Sequence, residues 1–391
     1  MVYPIQSGGI PASDIKVGVI LIGNEDEGYS YAHIEGILTA QQNLGLTDDQ
    51  IIWKYDIPED YVAFYECIDL AEQGCNIIFT NSYGHQSFTQ QAAEEFPDVI
   101  FVSMTGDTAR ISGLPNLKNA FTGIHEARYV AGVVAGMKIR ELVECDRLKI
   151  SNYDADGNVK VGYVGTFPYA EVISGYTAFY LGIKSIIETV VMEVHFIYSW
   201  SDFALEKAAA EDLISAGCVI IGQHADTTGA PFAAQHAFNS GENVFCVGYN
   251  IDMLPPAPDA ALTSPTNDWS VYYTYAIRTI IEGGVIDTDW CRGYSEAVVD
   301  ITDLGPHAAA GTAEAVAAAV AALASGTLHV FDTSTFTVGG QKVTSFLATD
   351  TNGDFVGEED EAIFDGYLHE CYFRSAPYFN LAIDGIIRLN G

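Results

Sequence analysis

A chain of 391 residues, 49% of them hydrophobic, is too long for one ordinary core and predicts two domains or lobes. Aspartate and glutamate number 52 against 17 lysines and arginines, a formal net charge of −35, although only 18% of residues are charged. That composition excludes a disordered acidic tail. Its field repels nucleic-acid phosphate and anionic lipid, and it fits a highly soluble protein working outside the cytosol or in salt.

Residues 1–13 read as a flexible leader with neither a basic nor an apolar signal region, so a secretory signal is expected to have been removed. No apolar run is long enough to span a bilayer. "DIKVGVILIG" is a continuous Val/Ile run, as expected of a strand buried on both faces. The turn "GNEDEGYSYAHIEG" leads into a helix ending at Gly45. "QIIWKYDI", "CNIIFTNS" and "VIFVSMTG" read as further strands, separated by the helices "AFYECIDLAEQG" and "QSFTQQAAEEFPD". This alternation predicts a parallel, doubly wound sheet.

A second set begins near Gly123 with the long helix "HEARYVAGVVAGMKIRELV". The strands "VKVGYVGTF", "EVHFIYSW", "CVIIGQH" and "ENVFCVGYN" follow, with helices between them. No linker rich in Pro, Ser or Gly separates the sets, so short extended segments are expected to join the lobes as a hinge. In the tail, "GTAEAVAAAVAALASG" reads as a helix capped by Thr312, and "STFTVGGQKVTSF" as a hairpin around Gly339-Gly340. Asp350, Asn352, Asp354 and Glu361 have part of a calcium-loop spacing, but Phe355 stands where the sharp turn needs Gly. A solvated acidic loop is the stronger reading, and no metal is assigned. The seven cysteines show no CxxC and read as buried small hydrophobes.

No GxxxxGK[ST], HExxH, GxSxG or GxGxxG occurs, so no nucleophile, cofactor loop or catalytic metal is assigned, and no cofactor is expected. What stands out is the polar and aromatic ending of the strands, where open α/β sheets bind ligands. The first-lobe endings carry Asp26, Tyr29, Ser30, Tyr31 and His33, then Asn81, Ser82, Tyr83 and His85, then Gly106 and Asp107. Second-lobe endings carry Phe167, Tyr169 and Glu171, Trp200 and Asp202, His224, Asp226 and Thr227, and Asn250 and Asp252. Asn267, Asp268 and Trp269 follow. Rings sandwich a flat heteroaromatic ligand while carboxylates and amides take its edge N–H groups. The candidate contacts are Asp26, Tyr29, Ser30, His33, Ser82, Tyr83, Gly106, Phe167, Trp200, Asp202, Asp226, Asn250, Asp252 and Trp269. Competing structural readings stand beside them: Asp202 as a helix cap, His33 as a packed histidine, Trp200 as a cover for the sheet. Tyr29 is the leading contact, with Gly28 expected to free the backbone that aims it.

The blocks "DEGYSYAHIEG", "IIFTNSYGHQSFTQQAAEEFPDVIF", "ARYVAGVVAG", "VGYVGTFPYAEVISGYTAFYLG", "SWSDFALEKAAAEDLISAGCVIIGQHADTTG" and "VGYNIDM" resemble the BMP (basic membrane protein) or PnrA-like solute-binding lipoproteins of ABC importers. The resemblance runs through most of the chain and fades after Phe331. It implies a type I periplasmic-binding fold with three crossovers: lobe 1 from 14–123 plus 264–290, lobe 2 from 124–263 plus 291–391. It further implies a binding protein rather than an enzyme, lying outside the cell membrane on a lipid anchor and delivering a purine base or nucleoside to permease subunits. The family's stacking aromatic falls on Tyr29 and its polar neighbour on Ser30. The second-lobe ring and acids fall on Trp200, Asp202 and Asp226, with Asn250 or Asp252 in the "GYNID" turn. No Lys occupies "PTNDW", where nucleoside binders hold the sugar. A receptor-linked sensor, or a site for another flat heteroaromatic or small sugar-like molecule, is the alternative.

Overall fold

The structure, a computed structural model, describes residues 8–348 and 360–390. In chain order the first lobe contains β1 (Val17–Ile20), α1 (Gly28–Leu44), β2 (Ile51–Lys54), α2 (Tyr61–Glu72), β3 (Ile77–Thr80), α3 (Gln86–Glu95), β4 (Ile100–Met104), α4 (Ala109–Ser112) and β5 (Leu117–Thr122). The second contains α5 (Ile124–Glu144), β6 (Val159–Gly165), α6 (Ala170–Lys184), β7 (Val190–Phe196), α7 (Phe203–Ala216), β8 (Ile220–Gln223), α8 (Gly229–Asn239), β9 (Phe245–Val247) and β10 (Ala261–Thr263). After β11 (Pro265–Asn267), α9 (Trp269–Ile281) and β12 (Asp289–Arg292) return to the first lobe. Then come β13 (Val299–Ile301), α10 (Thr312–Ala324), the two-residue strands β14 (Leu347–Ala348), β15 (Asp360–Glu361), β16 (Ile363–Phe364) and β17 (Tyr367–Leu368), and β18 (Ile386–Asn390).

Two six-stranded sheets result, in the orders β12-β5-β4-β3-β1-β2 and β10-β9-β8-β6-β7-β18. Every pairing within them is parallel. β1, β3, β4, β5 and β8 are buried at every residue, which is why β1, β3 and β4 read as largely apolar runs rather than alternating ones, whereas β5 buries Lys118, Asn119 and Thr122. In the second lobe α5 lies directly on α6. A Cβ on Gly132 would sit 2.1 Å from the Phe179 carbonyl oxygen, and one on Gly182 2.0 Å from that of Tyr129. The glycines of "YVAGVVAG" and "FYLG" therefore set the distance between these helices.

The chain crosses between lobes at Thr122–Gly123, along β11, and after β12. β11 and β13 pair antiparallel, Pro265 against Ile301. Thr122 Oγ1 donates to Asn267 Oδ1 at 2.5 Å, tying two crossings together. The expected lobe boundary after 290 falls inside β12, whose Cys291 and Arg292 still pair with Phe121 and Thr122. The tail does not simply extend lobe 2 either. β18 closes the second sheet beside β7, but Ser375 on the way there donates twice to Asp289 of the first lobe, at 3.0 Å each.

Smaller expectations also shift. Gly311, at φ 80°, caps α10, and Thr312 is its first residue. The 334–346 hairpin reduces to one bridge, Val338 to Gln341, although Gly339 and Gly340 take the two positive φ values such a turn needs. Asp350, Asn352 and Asp354 lie outside the described residues. Glu361 accepts from Phe346 N, Ile363 N and Ser345 Oγ. Cys67, Cys75, Cys218 and Cys246 are buried, Cys145 is exposed and Cys291 and Cys371 are half-buried; all seven are free thiols.

Candidate functional site

The carboxyl ends of both sheets face each other across a cleft with an empty volume of about 850 Å³, part of it open to solvent. Its walls include Tyr29, Ser82, Tyr83, Thr105, Asp107 and Trp269 from the first lobe. The second lobe adds Tyr169, Glu171, Trp200, His224, Asp226 and Tyr249, and the tail adds Arg374, Ala376 and Pro377.

Tyr29 owes its position to a cap. The Glu27 carboxylate accepts from Tyr29 N at 2.8 Å and Ser30 N at 2.7 Å, starting α1 at the bend. The Tyr29 hydroxyl donates to the Asn81 carbonyl, pinning the ring against the end of β3. His33 stands edge-on to Tyr29, at 4.6 Å and 79°, and is stacked on Trp269 at 4.5 Å and 18°. It is fully buried, with Nδ1 2.6 Å from Tyr273 Oη, and burial lowers its pKa to about 3. His33 is thus a neutral spacer holding two cleft rings, not a wall residue.

Gly28 acts through close approach, not freedom of φ. It is the first residue of α1; its N–H donates to Asp226 O at 3.3 Å, and a Cβ there would meet Ile251 at 3.2 Å. The two lobes therefore touch at the bend that carries Tyr29.

Opposite lies a ring cluster. Tyr169 stacks on Phe167 at 5.2 Å and 12°, and Trp200 leans on Phe167 at 5.1 Å. Phe167 backs this wall; Tyr169 and Trp200 face the cleft. Behind them Glu171 takes both carboxylate oxygens to His224 Nε2, at 2.8 and 2.9 Å. Burial pushes the Glu171 pKa up, but His224 and the Arg128 charge outweigh it, leaving the group below its usual value and ionised. His224, lowered by burial and by Arg128, is the neutral donor to it. Arg128 is buried, with its guanidinium 3.8 Å over the Tyr249 ring and Nη1 donating to Tyr163 Oη at 2.5 Å.

Asp226 has the opposite character. Burial, then the negative charges of Glu27, Glu206 and Glu171, raise its pKa well above the carboxylate range. A neutral carboxyl can donate as well as accept. Asn250 Nδ2 donates to Asp226 Oδ1 at 3.1 Å, and Asn250 Oδ1 accepts from Asn267 Nδ2 at 3.3 Å. Asn267 is the residue bonded to Thr122, so a polar chain connects Asp226 to two crossings. Asn250 (φ 64°) and the wall residue Thr105 (φ 65°) both hold left-handed backbone at strand ends, a conformation costly for a β-branched threonine.

Of the fourteen residues expected from the sequence, Tyr29, Ser82, Tyr83, Trp200, Asp226 and Trp269 line the cleft. The other eight stand off it. Asp26 is exposed beyond the bend, its N–H turned to Asn24 Oδ1. Ser30 is buried, donating to neither wall but joining Gly23 N and Asn81 Nδ2. Gly106 is pressed against Asn119, whose Nδ2 would lie 2.4 Å from a Cβ. Asp202 caps α7 through Leu205 N, and Asp252 is exposed, accepting from Leu254 N. His33, Phe167 and Asn250 support wall residues from behind. Asp107, Tyr169, Glu171, His224 and Asn267 stand at strand ends visible in the sequence but outside the chosen set. Thr105 and Tyr249 also lie within quoted strand endings but outside that set, while Phe121 and Arg374 carry no such signal.

A profile described as "Bmp: ABC transporter substrate-binding protein PnrA-like" matches residues 15–316. The chain belongs to this family. Its members are solute-binding proteins of ABC transporters, not enzymes, which implies a small-molecule ligand and permease partners. A Brucella abortus purine-binding protein is 30% identical over 272 residues, covering 69% of this chain and 69% of that protein. A Haloferax volcanii protein, provisionally described as an ABC transporter glucose-binding protein, is 27% identical over 317 residues, covering 80% of this chain and 72% of its own. An ABC transporter solute-binding protein from Aeropyrum pernix K1 superposes with a TM-score of 0.67 at 16% identity, over 81% of this chain and 93% of that one. The fold is the type I periplasmic-binding fold. PnrA-like proteins are extracytoplasmic, and no described helix here is long and apolar enough to cross a membrane.

Proposed function

We propose that this protein captures a purine base or nucleoside in the interlobe cleft and delivers it, from the outer face of the cell membrane, to the permease of an ABC importer. The observation that carries the reading is the placing of rings from both lobes around two cleft carboxyl groups, Glu171 and Asp226. Tyr29, Tyr83 and Trp269 stand on one side, Tyr169 and Trp200 on the other. A flat ring between them gains stacking on both faces. Ionised Glu171 accepts from ligand N–H groups, and neutral Asp226 donates to a ring nitrogen or carbonyl. Closure about the three crossings hides the ring from water, and the chain from Asp226 through Asn250 and Asn267 to Thr122 couples the wall to those crossings. The name of the Brucella relative supports a purine. A lipid anchor outside this sequence would hold the protein at the membrane.

The Haloferax relative favours a second reading, a hexose lying against the same rings. Thermal unfolding with adenine, hypoxanthine, guanine, their nucleosides and glucose separates the two. A purine at a hundredfold excess over its Kd raises the Tm by about 3 °C or more. A rise with glucose and none with any purine would overturn the purine reading.

A further inference from the structure

Arg374 lies beyond residue 316, where the family match ends, yet it is the one cationic side chain among the described residues that line the cleft. In a chain with 17 lysines and arginines against 52 acids, a guanidinium aimed there is not a product of composition. The tail carries it in. Ser375 anchors on Asp289 through its N–H and its hydroxyl, while β18 anchors the chain on the other lobe beside β7. Arg374 Nε donates to Ala376 O at 3.2 Å and Nη2 to Pro377 O at 3.3 Å, which fixes the guanidinium plane. Nη1 reaches 3.5 Å from Asp107 Oδ2, the oxygen that also accepts from Tyr83 Oη at 3.2 Å. The pair stays in reach of a cleft ligand: the Arg374 side chain keeps 15% of its surface exposed and Asp107 18%.

A guanidinium beside a carboxylate presents a donor next to an acceptor. That pattern is complementary to a lactam edge, O=C–N–H, and, for a ring held in the same orientation between the cleft walls, mismatched to an amidine edge, which then puts a ring acceptor against the carboxylate and an amino donor against the cation. Resting on the purine reading above, we propose that Arg374 and Asp107 make the cleft selective for 6-oxopurines over 6-aminopurines. The C6 carbonyl accepts from Arg374 and the ring N1–H donates to Asp107. A site built to satisfy a hydrogen-bonding edge rejects an analogue that leaves its charged groups unpaired.

Calorimetric titration of the full chain with hypoxanthine, 1-methylhypoxanthine and adenine tests this, followed by the same titrations on Arg374→Gln. The wild type should bind hypoxanthine at least tenfold tighter than adenine, and 1-methylhypoxanthine, which lacks the N1–H, at least tenfold weaker than hypoxanthine. Arg374→Gln should lose tenfold or more for hypoxanthine and under threefold for adenine. Adenine binding as tightly as hypoxanthine, or a variant that weakens both equally, overturns the selectivity while leaving the purine reading intact. Absence of binding by all three removes both. The wild-type comparison stands even if the variant does not fold.

Discussion

The rings of Tyr83 and Tyr169 meet 5.8 Å apart at 40°, one carried by each lobe. Tyr83 opens a short 3-10 turn after β3, and Tyr169 immediately precedes α6. They are 37% and 46% exposed, so they form the lip of the cleft rather than its floor. Contacts at a lip slow escape more than they attract. Tyr83→Ala and Tyr169→Ala are therefore expected to raise the ligand off-rate several-fold, with a smaller change in on-rate, in stopped-flow fluorescence. Equal changes in both rates would contradict a lip.

Trp200 is the large ring of the second-lobe wall, packed on Phe167 and leaving one face to the cleft. Stacking of a base on an aromatic side chain contributes about 1–3 kcal/mol. Trp200→Ala should weaken purine binding about ten- to hundredfold, and purine binding at saturation should quench tryptophan fluorescence less in the variant than in the wild type, since Trp269 still lines the cleft. Asp202→Ala, two residues away, removes a helix cap worth about 1 kcal/mol. It should lower the Tm while shifting affinity less than threefold.

Glu206 gives the protein a pH dependence. It is fully buried in the first turn of α7; Oε1 accepts from Thr227 N at 3.2 Å and Asp202 N at 3.3 Å, and Oε2 has no partner. Burial pushes its pKa up to about 7. The folded state thus holds this proton more tightly than the unfolded chain. The associated stability is fully present below about pH 4.5 and is lost as pH rises through about 7. Glu206→Gln should flatten that decline and stabilise the protein at pH 8 by on the order of 2 kcal/mol, read from urea unfolding at pH 5 and pH 8. His33, held neutral with a pKa near 3, contributes the opposite slope at acid pH in both proteins and cancels from the difference, which reports Glu206 together with its charge effect on Asp226.

A net charge of −35 repels itself in the folded state. Salt screens that repulsion, and it also screens the ion pairs. Exposed pairs such as Lys149–Glu242 and Lys207–Glu211 contribute little, so the repulsion wins. The Tm should rise by several degrees between low ionic strength and about 1 M NaCl, where the screening length is about 3 Å. A flat or falling Tm would show that the charges are already balanced locally.

Much of the architecture is legible because both sheets are parallel and their inner strands are mostly buried on both faces. "KVGVILIG" and "VIFVSM" are then unbroken apolar runs that periodicity detects directly. The cleft is legible at strand ends for the same reason, which is how Tyr29, Trp200 and Asp226 are found. Errors arise where one side chain has two possible jobs. Asp202 and Asp26 look like edge acceptors, but one caps α7 and the other faces solvent. Phe167 and Tyr169 stand two residues apart on one turn, and only the geometry decides which ring faces in. Arg374 is invisible in advance, since nothing local says that a tail will fold back between the lobes.

The central claim is that a purine ring lies between the Tyr29 bend and the Trp200 wall. The most direct measurement is a crystal structure of the protein grown with hypoxanthine. Electron density for a flat bicyclic ring between Tyr29 and Trp200, with polar edges toward Asp226 and Glu171, is the expected result. A ring bound outside the cleft, or a cleft that stays empty at saturating hypoxanthine, would contradict it.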